Sequence, residues 1–119
     1  MSAYEHDLDV QITPREGAAV ATIVGNVDTV TAESLSAVLQ GAIDDGHVRL
    51  VGDLSGVGYT SSAGLRALLG AMKGARQGGG DLRLAAAGDK VMKALQLSGF
   101  TSILRLYDDV DAALASYAE

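Results

Sequence analysis

The feature that most constrains this chain is a change of hydrophobic period along its length. Near the N-terminus Leu8, Val10 and Ile12 alternate with Asp9, Gln11 and Thr13, the two-residue repeat of a half-buried strand. "PREG" (14–17) reads as a turn, and "AVATIVG" as a second strand that pairs with the first in a hairpin. The repeat then lengthens. Leu35, Val38, Leu39 and Ala42 fall at i, i+3, i+4 and i+7, the stripe of an amphipathic helix. Thr31 stands where the N-cap of that helix belongs, and Gly46 suits its exit.

The two periods go on alternating. "HVRLVGDL" is a strand, and a helix begins near Ser61, with Leu65, Leu68, Leu69 and Met72 on one face. Arg66, Lys73, Arg76 and Gln77 take its other face, and "QGGGD" ends it. "DLRLAAA" is a strand with Leu82 and Leu84 on one side, and "DKVMKALQLSGF" a short helix ending at Gly99. "ILRLY" is the last strand. "DDVDAALASYAE" is a closing helix, with Val110, Ala113, Leu114 and Tyr117 at helical spacing and Asp108 or Asp109 as its cap. The order β-β-α-β-α-β-α-β-α predicts an α/β fold. Its sheet should be mostly parallel, with right-handed crossovers and one antiparallel hairpin. Residues 1–119 read as a single domain without linker or internal repeat.

Composition narrows the function. Nearly half the residues are apolar, with no Trp and one Phe, so Leu, Val, Ile and Ala must build the core. A formal charge of −6 lacks the basic footprint of a nucleic-acid binder or of a patch that docks on anionic membranes. The absence of cysteine removes disulfides, thiol catalysis and thiolate metal sites. No stretch has the length of a membrane span, and the start lacks the pattern of a signal peptide. A soluble, cytoplasmic protein is expected.

Little else suggests chemistry. His6 and His47 have no metal-ligand spacing, and no cofactor is expected. "TSSAG" is not the G-x-S-x-G elbow of a hydrolase. "QGGGD" lacks the phosphate-loop pattern and follows a helix where such a loop precedes one. What remains is the junction "DLSGVGYTSSAGLRALL" (53–69), where Thr60, Ser61 and Ser62 lie between a strand and a helix. One serine is explained by N-capping. If Ser61 is the cap, Ser62 becomes the first helical residue with a free hydroxyl. A helix N-terminus stabilises an added phosphate locally by about 0.3–1 kcal/mol. A cap alone, or a cap beside a modification or partner site, both fit these residues.

The same stretch resembles the central motif of STAS domains, the family of bacterial anti-sigma factor antagonists. "GNVDTVTAESL" (25–35) is similar to a second block of that family, and "ALQLSGF" followed by "LRLYDDVDAAL" to a third. The resemblance spans essentially the whole chain. It implies a small mixed sheet with helices packed on one face. It also implies a non-enzymatic phosphorylation switch. The unphosphorylated form would bind an anti-sigma factor that is also a serine kinase, releasing the sigma factor. Phosphorylation would end binding, and a serine phosphatase would reset it.

Carried over by position, the family's modified serine falls on Ser62, with Ser61 the second choice. Ser61 stands where the family often has Asp, and Ala63 where it often has a second hydroxyl residue, while Gly64 and Leu65 match. Asp28, Thr29, Thr60, Ser61, Ser62, Ala63, Gly64 and Arg66 are then the expected docking residues. A monomer or weak homodimer is expected. Two other roles stay open: a STAS subunit of a transporter or sensory complex, and a nucleotide or small-molecule binding module.

Overall fold

The computed structural model describes residues 8–118. Its strands are β1 (Asp9–Arg15), β2 (Ala18–Val24), β3 (Arg49–Gly56), β4 (Asp81–Ala85) and β5 (Leu106–Tyr107). Its helices are α1 (Thr29–Asp44), α2 (Ser62–Gln77), α3 (Asp89–Leu97) and α4 (Val110–Ala115). The sheet runs β1-β2-β3-β4-β5. The β1–β2 hairpin is antiparallel, and every later pair is parallel. The mixed α/β class and the element order are those expected from the sequence.

The two-residue period divides the sheet into faces. Ala19, Ala21 and Ile23 of β2, Leu50 and Leu54 of β3, and Leu82 and Leu84 of β4 point to one side. There they meet Leu35 and Leu39 of α1, Leu65, Leu68 and Met72 of α2, and Val91 and Leu95 of α3. The other side carries Val20, Val51 and Ala85, and α4 covers it with Ala113, flanked by Val110, Leu114 and Tyr117. The refinement concerns α4 alone. Three helices share a face, and the fourth packs on the opposite one because Val20, Val51 and Ala85 are apolar and need cover.

Local departures have local causes. Thr31 is not the N-cap of α1. Asp28 is, and the helix starts at Thr29. The Thr31 N–H donates to Asp28 Oδ1 at 2.8 Å, and the Asp28 N–H donates to Thr31 Oγ1 at 2.9 Å. This reciprocal pairing satisfies two backbone donors, where Thr31 alone would satisfy one. β1 runs on through Pro14 to Arg15, because an edge strand tolerates a residue without an N–H. The last strand shrinks to Leu106–Tyr107, since Gly99 turns the chain at φ +79° into a 3-10 turn over Phe100–Ser102. Asp109 caps α4, its carboxylate accepting from the Ala112 N–H at 2.8 Å.

Tyr117, just beyond α4, ties both central strands. Its hydroxyl lies 2.8 Å from the carbonyl oxygens of both Leu50 and Asp81 and shares its one proton between them. Burial pushes this phenol well above its ordinary value of 10.0, and the Asp81 carboxylate pushes it further the same way. The folded state therefore keeps the proton at a pH where the unfolded chain loses it. Tyr117 stabilisation is complete below about pH 10 and is lost as pH rises beyond that. Tyr117→Phe is expected to cost about 1–2 kcal/mol at neutral pH. Between pH 10 and pH 11.5, roughly the range above the ordinary phenol value, the variant should lose less stability than the wild type. Urea melts across that range check this. Parallel losses in the two proteins would mean that other groups govern the alkaline limb.

Candidate partner-binding and modification site

The loops that follow β2 and β3 are locked side by side by backbone hydrogen bonds. Gly25 N–H donates to Gly56 O at 3.0 Å, Val27 N–H to Tyr59 O at 2.9 Å, and Ser61 N–H to Val27 O at 2.7 Å. Val27 and Thr60 form an isolated parallel bridge. Two helix starts are thereby placed together: the Asp28 cap of α1 and the Ser61 cap of α2.

Ser61 is extended at its own backbone, and its hydroxyl oxygen accepts from the Gly64 N–H at 3.2 Å. Its carbonyl accepts from the Leu65 N–H at 3.0 Å. Thr60 is buried, its hydroxyl donating to the Ser61 carbonyl at 3.2 Å. Ser62 differs from both. It is exposed at the first position of α2, and its hydroxyl makes no hydrogen bond among the described residues. The positive end of a sixteen-residue helix lies beside it. The cap and the freer hydroxyl are thus two different residues.

Gly64 explains how tightly the two loops fit. A Cβ at this position would overlap Thr60 Oγ1 and come within 2.7 Å of Val27 Cγ1. Glycine here sets the close approach of α2 to the bridge, which is a packing role. Thr29, Ala63 and Arg66, together with Ala32, Glu33 and Ser36, line a shallow groove of about 370 Å³ between the first turns of α1 and α2. Thr29 and Arg66 are exposed, Ala63 half-buried.

All eight residues singled out in the sequence lie in this one region, though with unequal access. Thr60 and Gly64 are buried, so they shape the surface and do not present it. Two exposed apolar side chains were missed: Val30, 62 % exposed in the first turn of α1, and Tyr59, 51 % exposed just before the hydroxyl run. Position in the fold reveals them. In the sequence, Val30 passes for a helix residue and Tyr59 for the end of a strand.

Two serine substitutions separate capping from access. Ser61→Ala is expected to lower stability by about 1 kcal/mol, the usual value of a lost N-cap. Ser62→Ala is expected to stay within about 0.5 kcal/mol of wild type, as for other exposed positions. Chemical denaturation of both variants checks the pair. The reverse order would make Ser62 the cap.

No group of three metal-ligating side chains comes together among the described residues. No helix there is long and apolar enough to cross a membrane. His6 lies outside the described residues, and His47 sits in the short connection before β3.

Comparison with known proteins agrees with the fold. The STAS domain family model matches residues 9–113. BtrV of Bordetella bronchiseptica, named as a candidate anti-sigma factor antagonist, is 37% identical over 102 residues, 86% of this chain and 88% of that protein. The crystal structure of an anti-sigma factor antagonist from Mycobacterium paratuberculosis superposes with a TM-score of 0.87 at 25% identity, covering 96% of this chain and 97% of that one. A sulfate transporter family protein from Wolinella succinogenes superposes with a TM-score of 0.75, also at 25% identity, over 91% of this chain and 89% of its own.

Proposed function

The chain belongs to the STAS domain family, and from that premise we propose that it is an anti-sigma factor antagonist switched by phosphate on Ser62. The observation that carries this is the division of labour at the start of α2. Ser61 holds the helix cap, and the exposed Ser62 hydroxyl beside it is uncommitted among the described residues. The unmodified surface around Ser62, Thr29, Arg66 and the exposed Tyr59 and Val30 binds an anti-sigma factor with serine kinase activity. That kinase transfers the γ-phosphoryl group of ATP to the Ser62 oxygen. The hydroxyl proton goes to a base of the kinase, and ADP leaves. A phosphatase returns the serine with water. The protein itself catalyses nothing in this cycle and works in the cytoplasm, beside the sigma factor.

The likeness to BtrV, the highest identity among the three proteins compared, favours this reading. The likeness to a sulfate transporter family protein supports a second one, a STAS subunit of a transporter assembly. Capture of partners on the tagged chain from its native cells separates them, combined with mapping of any phosphate by mass spectrometry. An ATP-binding serine kinase as partner and phosphate on Ser62 are expected. A transporter component without a kinase, and an unmodified Ser62, would favour the second reading.

A further inference from the structure

The chain is acidic and has nine lysines and arginines in all. Three of them, Arg49, Arg83 and Arg105, line one polar cavity of about 380 Å³. It lies on the face that carries α4. Arg49 opens β3, whose far end leads to Ser62, so the cavity faces away from the proposed switch. Ser116 and Tyr117 form one wall, and Gly79 and Gly80 leave another free of side chains.

The central arginine is held in place. Arg83 Nε donates to Asp81 Oδ2 at 3.1 Å, and Nη1 donates to Ser116 Oγ at 2.7 Å. Its guanidinium stands 4.0 Å from the centre of the Tyr117 ring. Nη2 makes no hydrogen bond among the described residues. The side chain is only 13% exposed, so this fork is fixed before any ligand arrives. Asp81, the carboxylate bound to Arg83, is already shared between Arg83 and Arg76. Arg49 and Arg105 make no ion pair among the described residues, and both are exposed.

Three guanidiniums around one polar hollow, with their nearby carboxylate already engaged, leave a local excess of positive charge. Guanidinium forks match the oxygens of phosphate, and a dianion between them removes their mutual repulsion. We infer that this cavity binds a small ligand through a phosphate or diphosphate group. The cavity is too small for a folded partner, and an oxyanion held by the fixed Arg83 fork, with the exposed Arg49 and Arg105 free to close on it, fits both its volume and its lining. This inference does not depend on the function proposed for Ser62.

Calorimetric titration with inorganic pyrophosphate at low salt tests it, with citrate as a carboxylate of comparable charge. Wild type should bind pyrophosphate saturably, one to one, and more tightly than citrate. Arg49→Gln combined with Arg105→Gln should weaken binding by at least about tenfold, as expected for loss of two charge-assisted contacts. Lys90→Gln combined with Lys93→Gln removes the same charge from the exposed face of α3 and should leave affinity unchanged. Should the arginine variant fail to fold, amide shifts of wild type on adding pyrophosphate decide instead, with the largest expected at Gly79, Gly80 and Arg83. Absence of saturable binding, a preference for citrate, equal weakening in both variants, or shifts spread evenly over the surface would overturn the inference.

Discussion

Leu68→Asp is expected to leave the chain unfolded at room temperature. Leu68 is 2% exposed on the core face of α2, within the cluster of α1, α2, α3 and the sheet. Losing its burial removes about 2–3 kcal/mol. The new carboxylate lies among aliphatic side chains, and leaving it there unpaired costs several kcal/mol more. A domain of this size has only about 5–15 kcal/mol of stability in total. Lys73→Asp, on the exposed face of the same helix, should melt within about 1 kcal/mol of wild type. Far-ultraviolet circular dichroism and thermal melting of both variants check this. A cooperative, wild-type-like melt for Leu68→Asp would mean that α2 presents a different face to the sheet.

That face was legible in the sequence because α2 is strongly amphipathic. Leu65, Leu68 and Met72 are buried, while Arg66, Lys73 and Gln77 are exposed. The cap at Ser61 was legible for a similar reason, since a hydroxyl before an apolar helical run has a specific use. The start of α1 was less clear. The sequence pattern points to Thr31 as the cap, and the reciprocal bonds of Asp28 and Thr31 that move it to Asp28 exist only in the folded backbone. The position of α4 was not legible either. Val110, Ala113 and Leu114 show an apolar stripe, but a stripe does not say which face of a sheet it covers. Val20, Val51 and Ala85 decide that, and they belong to three different strands.

The candidate site divides in the same way. The resemblance of "DLSGVGYTSSAGLRALL" to the STAS motif singles out Ser62 and its neighbours. It does not distinguish residues that shape the surface, such as Gly64 and Thr60, from those that present it. Nor does it announce Val30 and Tyr59, whose exposure is a property of the folded chain. Likewise, Arg49, Arg83 and Arg105 are far apart in the sequence and come to one cavity only because β3, β4 and β5 are neighbours in the sheet.

Phosphate on Ser62 is expected to abolish partner binding while leaving the fold intact. It adds about −1.5 to −2 charges at neutral pH. Ser62 is exposed at the N-terminus of α2, and that end of the helix tolerates negative charge. Gly64, Thr60 and Val27 pack on the inner side of the helix start and need not move. A partner fitted to the bare hydroxyl must instead desolvate a dianion, at a cost of several kcal/mol. That corresponds to at least about a hundredfold loss of affinity. Ser62→Glu should reproduce part of the loss, because one carboxylate carries less charge and fewer acceptor oxygens than a phosphate.

The most direct test is calorimetric titration of the cognate anti-sigma kinase with wild type, Ser62→Ala, Ser62→Glu and enzymatically phosphorylated protein, each also melted by circular dichroism. Wild type and Ser62→Ala should bind alike, Ser62→Glu more weakly, and the phosphorylated form not measurably, with similar melting in all four. Equal affinity of the phosphorylated and unphosphorylated proteins would contradict the switch and leave Ser62 as an ordinary first residue of a helix.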